Sequence, residues 1–230
     1  MNAYTDILME SSYFPSNGKI KRYLDGSYSI SSFYNKASSS FKSGHYTTIF
    51  SYNVKSYAKL LYRFLKKYSY MQCDKINSIL VCGLGNENFI VDSLGNYTCD
   101  KLTPIKNVLY TLTPSVYGKT GIESYKIVKS VIKSLSPSIV FAIDSIATKD
   151  KKKLCNCIQI TTAGITPGGG VNNNTRALNS DSLNIPIVAI GFPVILTEKE
   201  EYITTYNIDE YIKIASDIIS KAITKFATRI

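Results

Sequence analysis

Two aspartates stand where a sheet could bring them to bear on chemistry. The run Val140-Phe141-Ala142-Ile143-Asp144-Ser145-Ile146-Ala147 sets an acidic residue after a β-branched and aromatic stretch. Buried parallel strands read this way when they deliver a carboxylate to the rim of a sheet. The run Ile79-Leu80-Val81-Cys82-Gly83-Leu84-Gly85-Asn86 has the same form and leads to Asp92. Reacting groups of open α/β sheets sit outside the carboxyl ends of the strands. Two carboxylates brought together there push each other's pKa values apart, leaving one acid and one base. Such a pair activates water against an amide without a metal. It can equally hold a divalent cation, or be two unrelated aspartates that cap loops.

The glycines are the second candidate. Gly83-Leu84-Gly85-Asn86 follows a strand, as in a dinucleotide-binding turn, but Asn88 stands where the third glycine of that pattern belongs. The plain alternative is a tight turn that lets the backbone pass close to a neighbour. The stretch Thr166-Pro167-Gly168-Gly169-Gly170-Val171 can offer main-chain N–H groups to a substrate backbone or an oxyanion, or serve as a mobile connector. The chain has a single histidine, His45, far in sequence from these motifs, which rules out a multi-histidine metal site. A structural or surface role is expected for it. Cys73, Cys82, Cys99, Cys155 and Cys157 are odd in number and scattered, so no disulfide framework is expected. If Cys155 and Cys157 lie in one strand, their side chains share a face.

The elements that must position these residues follow from periodicity. Across 54–68, Val54, Tyr57, Leu60, Leu61, Phe64, Leu65 and Tyr68 recur at steps of three and four, which predicts an amphipathic helix packed on a sheet. Buried strands are predicted at 78–83, 108–112 and 139–143, the last ending at Asp144. Thr120 and Glu123 have the spacing of a capping box for a helix that buries Ile127, Val128, Val131, Ile132 and Leu135 and stops before Pro137. A strand at 157–161, antiparallel to its neighbours, and a last buried strand at 187–190 closed by Gly191 come next. The chain ends in a helix with Ile208, Tyr211, Ile212, Ala215, Ile218, Ile219, Ala222, Ile223 and Phe226 on its buried face. Residues 1–50 are polar, rich in Ser and Tyr and less regular, with short strands or a hairpin over 28–50. The alternation from 54 to 228 predicts a three-layer α/β/α sandwich with a mostly parallel sheet, as a single domain over 1–230.

With 27 Lys and Arg against 17 Asp and Glu, the 230-residue chain carries a formal charge of +10. The tightest basic runs, at 19–22, 63–67 and 149–153, are too short to form an arm. The expectation is a solvated basic surface, or attraction to acidic segments of a protein substrate, with no direct nucleic acid. No stretch reaches the roughly 18 apolar residues of a membrane span, and no secretory signal opens the chain. A reducing, intracellular compartment is expected.

Taken in order, five blocks resemble the germination protease (spore protease) family, aspartate-dependent endopeptidases of spore-forming bacteria. They are Gly83-Leu84-Gly85-Asn86 with Asp92-Ser93-Leu94-Gly95; Thr113-Pro114-Ser115-Val116-Tyr117-Gly118-Lys119-Thr120-Gly121-Ile122-Glu123; Ala142-Ile143-Asp144-Ser145-Ile146-Ala147; Ile158-Gln159-Ile160 with Thr166-Pro167-Gly168-Gly169-Gly170-Val171; and Ile185-Pro186-Ile187-Val188-Ala189-Ile190-Gly191-Phe192-Pro193. Tyr4-Thr5-Asp6-Ile7-Leu8-Met9-Glu10 resembles the family's self-processing segment, which implies a zymogen with a propeptide of a few residues. After Pro193 the chain is shorter than the family pattern.

The resemblance implies a fold like that of the hydrogenase-maturation endopeptidases. It implies an endopeptidase that degrades small acid-soluble spore proteins during germination, in the cytoplasm of the forespore or spore core, as a homotetramer. It places the catalytic pair on Asp92 and Asp144, with Gly83, Gly85, Asn86, Gly168, Gly169 and Gly170 as substrate-binding positions. No cofactor, metal or membrane partner is expected. Alternatives are a non-catalytic spore paralogue, a metal-dependent maturation-type peptidase, since acidic residues at similar places bind nickel in the related fold, and a nucleotide-binding α/β protein.

Overall fold

In the computed structural model the described residues are 21–24, 28–35, 42–51, 54–168, 175–198 and 201–230. The segment resembling a self-processing region, and Gly169 and Gly170, lie outside them. The apolar runs form the centre of one sheet. Strands β4 (Ile79–Gly83), β5 (Leu109–Leu112), β6 (Ile139–Thr148) and β8 (Ile187–Glu198) lie side by side in the order β5-β4-β6-β8, all parallel. Every residue of β4 is buried, which suits a strand covered on both faces.

The flank beyond β8 is antiparallel. Strand β7 (Cys157–Thr161) pairs with β8 and with β3 (Gly44–Ser51), which forms a hairpin with β2 (Tyr28–Asn35). Strand β1 (Lys21–Leu24) closes that side, and β9 (Glu201–Ile203) pairs with the end of β8. The sheet is therefore parallel in its centre and mixed overall. The hairpin expected over 28–50 and the antiparallel strand at 157–161 are both present.

Alternation along the strands divides the core between two faces. Val81, Phe141 and Val188 face helices α1 (Val54–Tyr70), α2 (Leu94–Asp100) and α6 (Ile208–Ala227), meeting Leu61, Leu65 and Phe226. Leu80, Val140 and Ile187 face the opposite layer, where α4 (Ser124–Leu135) supplies Tyr125 and Val128 and the single turn α5 (Ser180–Leu183) supplies Leu183. Helices on both faces of an α/β sheet make three layers.

Several expectations give way. Strand β6 does not end at Asp144, nor β8 at Gly191, because the two continue alongside each other to Thr148 and Leu196. Pro193 sits inside β8, opposite Ile146, where the register shifts between Ile146 and Ala147. A bulge tolerates a residue with no N–H, so proline does not close the strand there. The Thr120–Glu123 capping box is absent. Thr120 lies in the single turn α3 (Tyr117–Thr120), where its Oγ1 accepts from the Ile122 N–H at 3.1 Å, and Glu123 precedes α4 with no side-chain cap. In α4 only Tyr125 and Val128 are fully buried and Leu135 is exposed, because this thinner layer covers one side of the helix incompletely. Tyr211 is likewise exposed on α6. Cys155 precedes β7 in a left-handed turn, so it shares no strand face with Cys157; the cysteines are free thiols.

Two glycines hold the layers at backbone distance. A Cβ on Gly95 would lie 2.3 Å from the Leu84 nitrogen, and one on Gly83 would lie 2.3 Å from the Gly95 carbonyl oxygen. Backbone atoms cannot swing aside as side-chain ends can. Gly95→Ala should therefore cost at least about 2 kcal/mol through overpacking, lowering Tm by about 4–8 °C in a domain of this size. Gly118→Ala, whose Cβ meets nothing within 4 Å, is the matched control and should stay within about 2 °C of wild type. Thermal melts of the two variants check this; equal Tm values contradict it.

Candidate active site

Asp92 is placed by a chain of backbone contacts that begins at the end of β4. The Leu84 N–H donates to the Ile143 carbonyl at 2.8 Å, so the turn stays beside β6 at the residue before Asp144. Gly85 then takes φ +104°, a conformation that L side chains rarely adopt, and a Cβ there would lie 1.8 Å from the Asp92 carbonyl oxygen. The loop can fold back on itself only because this position is glycine. The return leg is a 3-10 turn over Ile90–Asp92, anchored by the Asp92 N–H donating to Phe89 at 2.8 Å and the Ser93 hydroxyl donating to Ile90 at 2.7 Å. The Asn86 N–H donates to Asp92 Oδ2 at 2.9 Å and closes the loop.

Asp144 comes from the strand itself. It lies on β6 opposite Gly191 of β8 and is only 4 % exposed. Its Oδ1 accepts from the Ser145 N–H at 2.9 Å. The Ser145 hydroxyl oxygen is buried and has no hydrogen-bond partner among the described residues. A buried hydroxyl left unpaired costs about 1–3 kcal/mol, so this group is set to accept or donate to whatever occupies the space beside it.

That space is a cleft of about 1060 Å³ lined by Asp92, Asp144 and Ser145 together with Gly85, Asn86 and Gly168. Its rim is apolar and unusually exposed, with Phe89 at 62 % and Tyr117 at 68 %. On the far wall the Arg176 guanidinium lies over the Tyr125 ring at 4.3 Å, and the Arg176 N–H donates to Glu123 Oε1 at 2.8 Å. The Lys119 ammonium pairs with Glu87, linking α3 to the Asp92 loop.

Burial raises the Asp92 carboxyl to about 6, against the Asn86 N–H, which favours the ionised form. Asp92 is thus a group that changes charge near neutrality, the range in which proton transfer is most effective.

The structure brings Asp92, Asp144, Gly85, Asn86 and Gly168 to one cleft. It does not bring Gly83, whose free face is filled by Gly95 and the Cys99 sulfur; Gly83 is a packing glycine, and the substrate-binding expectation for it is corrected. His45 does not line the cleft and packs between Tyr34 and Tyr68. Sequence reasoning did not single out Ser145, Phe89 or Arg176. Ser145 follows Asp144 directly and had that adjacency as its signal. Arg176 has no periodic or spacing signal at all.

Fold and cleft together define an α/β protein in which Asp144, within β6, and Asp92, in the loop after β4, line one cleft. The model of the germination protease family matches residues 40–216, and the chain belongs to that family. The germination protease of Bacillus licheniformis is 32% identical over 195 residues, covering 75% of this chain and 52% of that protein. That of Clostridium perfringens is 34% identical over 131 residues, covering 51% of this chain and 40% of that protein. The chain thus spans about half the length, or less, of the curated relatives it matches. Among solved structures, a [NiFe] hydrogenase maturation protease of Thermococcus kodakarensis aligns with TM-score 0.47 and 18% identity, over 70% of this chain and 99% of that one.

The raised Asp92 value has a consequence for stability. An unfolded aspartate titrates at about 4, so protonated Asp92 favours the folded state at low pH, and that contribution is lost as pH rises through about 6. Asp92→Asn cannot ionise. The Tm of wild type minus that of Asp92→Asn should therefore fall between about pH 4 and about pH 7. A difference that stays constant across that range contradicts the raised value.

Proposed function

We propose that the chain is an endopeptidase that hydrolyses small acid-soluble spore proteins during germination, with Asp92 and Asp144 as the reacting pair. The observation that carries this reading is the convergence of two carboxylates from separate elements on one large cleft, in a chain of the germination protease family. The rest of the family picture, a homotetramer in the spore core made as a zymogen, is proposed with it.

The chemistry follows from the environments of the two groups. Near neutrality Asp92 is largely ionised, and with a value of about 6 it is a better proton acceptor than an ordinary carboxylate. In the proposed mechanism it takes a proton from the attacking water. The water oxygen bonds to the scissile carbonyl carbon, and as the C–N bond breaks Asp92 returns the proton to the leaving amine; Asp144, more deeply buried, lines the same cleft and faces the reacting carbonyl. The Ser145 hydroxyl, together with main-chain N–H groups of the turn at 85–86 and the segment near Gly168, supports the developing oxyanion. The exposed Phe89 and Tyr117 rings give an extended substrate apolar surface on which to lie.

Asp92→Asn and Asp144→Asn should each lower kcat on a small acid-soluble spore protein by about 100-fold or more, with folding retained by circular dichroism. Wild-type turnover should rise as pH climbs through about 6 and then level off. A chelator should leave turnover unchanged. Folded variants with near-normal turnover sink the pair, and chelator inactivation restored by added nickel or zinc replaces it with a metallopeptidase.

A further inference from the structure

The positive charge that looks scattered along the sequence is concentrated in space. The 17-residue sequence of α1 contains five cations and no acid. Lys59, Arg63 and Lys67 stand four apart, and Lys66 lies beside them; all four are exposed. Lys221 and Lys225 of α6, and Arg229 two residues past its end, repeat the same step. Residues four apart lie on one side of a helix, so each series is a row of like charges recurring about every 6 Å. The two helices pack against each other on the same face of the sheet. Tyr62 of α1 joins the rows, with Lys225 Nζ 4.9 Å and the Arg229 guanidinium 5.6 Å from its ring.

These rows are not balanced within the described chain. Lys221 is paired with Asp217 at 2.5 Å, but Lys59, Arg63, Lys66, Lys67, Lys225 and Arg229 form no ion pair among the described residues. Like charges at this spacing destabilise a helix. The favourable position of cations at a helix C-terminus accounts for Lys225 and Arg229, but not for Lys59 or Arg63 in the first half and middle of α1. None of these side chains lines the cleft.

We infer that the α1–α6 ridge binds the phosphate backbone of double-stranded nucleic acid without regard to sequence. The side chains around the rows select this partner. Lys101, Ser220, Thr224 and Thr228 join Lys221, Lys225 and Arg229 around a groove of about 680 Å³, whose one carboxylate, Asp217, is paired with Lys221. Cations and hydroxyls are the groups that contact phosphates and position a protein on a duplex. A protein partner would need apolar or aromatic anchors at the centre of the patch, and the exposed positions of α1 from 59 to 67 are all cationic. A second copy of the chain would set like charges against like. The inference is independent of the peptidase reading of the cleft.

The test is fluorescence anisotropy of the whole chain with two duplexes of unrelated sequence, each of about 30 base pairs. Both should bind equally. Six neutralised phosphates predict an affinity that falls about 1,000-fold between 50 and 200 mM salt. The variant Lys59→Gln/Arg63→Gln/Lys225→Gln/Arg229→Gln leaves two of the six, so its affinity should fall only about tenfold over that range and be much weaker at 50 mM. Lys106→Gln/Lys133→Gln/Lys151→Gln/Lys152→Gln removes the same net charge from exposed positions elsewhere and should bind as wild type does. Circular dichroism melts confirm that both variants fold. Absence of duplex binding at 50 mM salt overturns the inference. So does equal weakening in the two variants, which would make binding a matter of net charge alone. Competition by polyglutamate as effective as that by unlabelled duplex overturns it in favour of an acidic polypeptide.

Discussion

The site depends on one close approach, that of the β4 turn to the segment that leads into α2. Gly83 meets Gly95 and Gly85 meets Asp92 at distances no Cβ could share. That contact lets a loop which has left the sheet return over the strand ends. The Leu84–Ile143 hydrogen bond fixes the same turn to β6. One peptide further along β6 is Asp144. The placement of Asp92 beside Asp144, 52 residues away in sequence, thus depends on a single junction of backbone with backbone. Glycine there acts as a spacer of zero thickness, and the burial that results moves Asp92 toward neutrality.

The parts of this arrangement legible in the sequence are those with a strong local signal. The apolar runs at 79–83 and 139–143 and the three-four periodicity of α1 and α6 come through because burial on one or both faces dictates residue type directly. The extent of β6 and β8 does not. Gly191 reads as the close of the strand, and only the pairing of Pro193 with Ile146 reveals that β8 runs on past it through a bulge. The Thr120–Glu123 spacing suits a cap, yet Thr120 bonds within its own turn and Glu123 bonds to Arg176, a residue whose proximity no local rule supplies.

The candidate site divides the same way. Asp92 and Asp144 stand out because an acid after a buried strand is a local pattern, while their shared cleft is a property of the sheet order. The role of Gly83 could be told from that of Gly85 only in three dimensions, since both sit in one turn and only one lines the cleft. Surface charge illustrates the converse. Cations spaced by four do not look like a run, so a reading by sequence proximity finds thin positive charge where helical geometry makes a ridge.

Cleft and ridge occupy different elements, so each can be perturbed without the other. The central claim concerns the cleft, that Asp92 and Asp144 work as one unit rather than as two independent carboxylates. A double-mutant cycle tests this directly. The measurement is kcat/KM on a small acid-soluble spore protein for wild type, Asp92→Asn, Asp144→Asn and the double variant. Members of one catalytic unit are strongly non-additive, so the double variant should be no slower than the slower single variant within experimental error. Losses that multiply across the two sites would contradict a pair acting together.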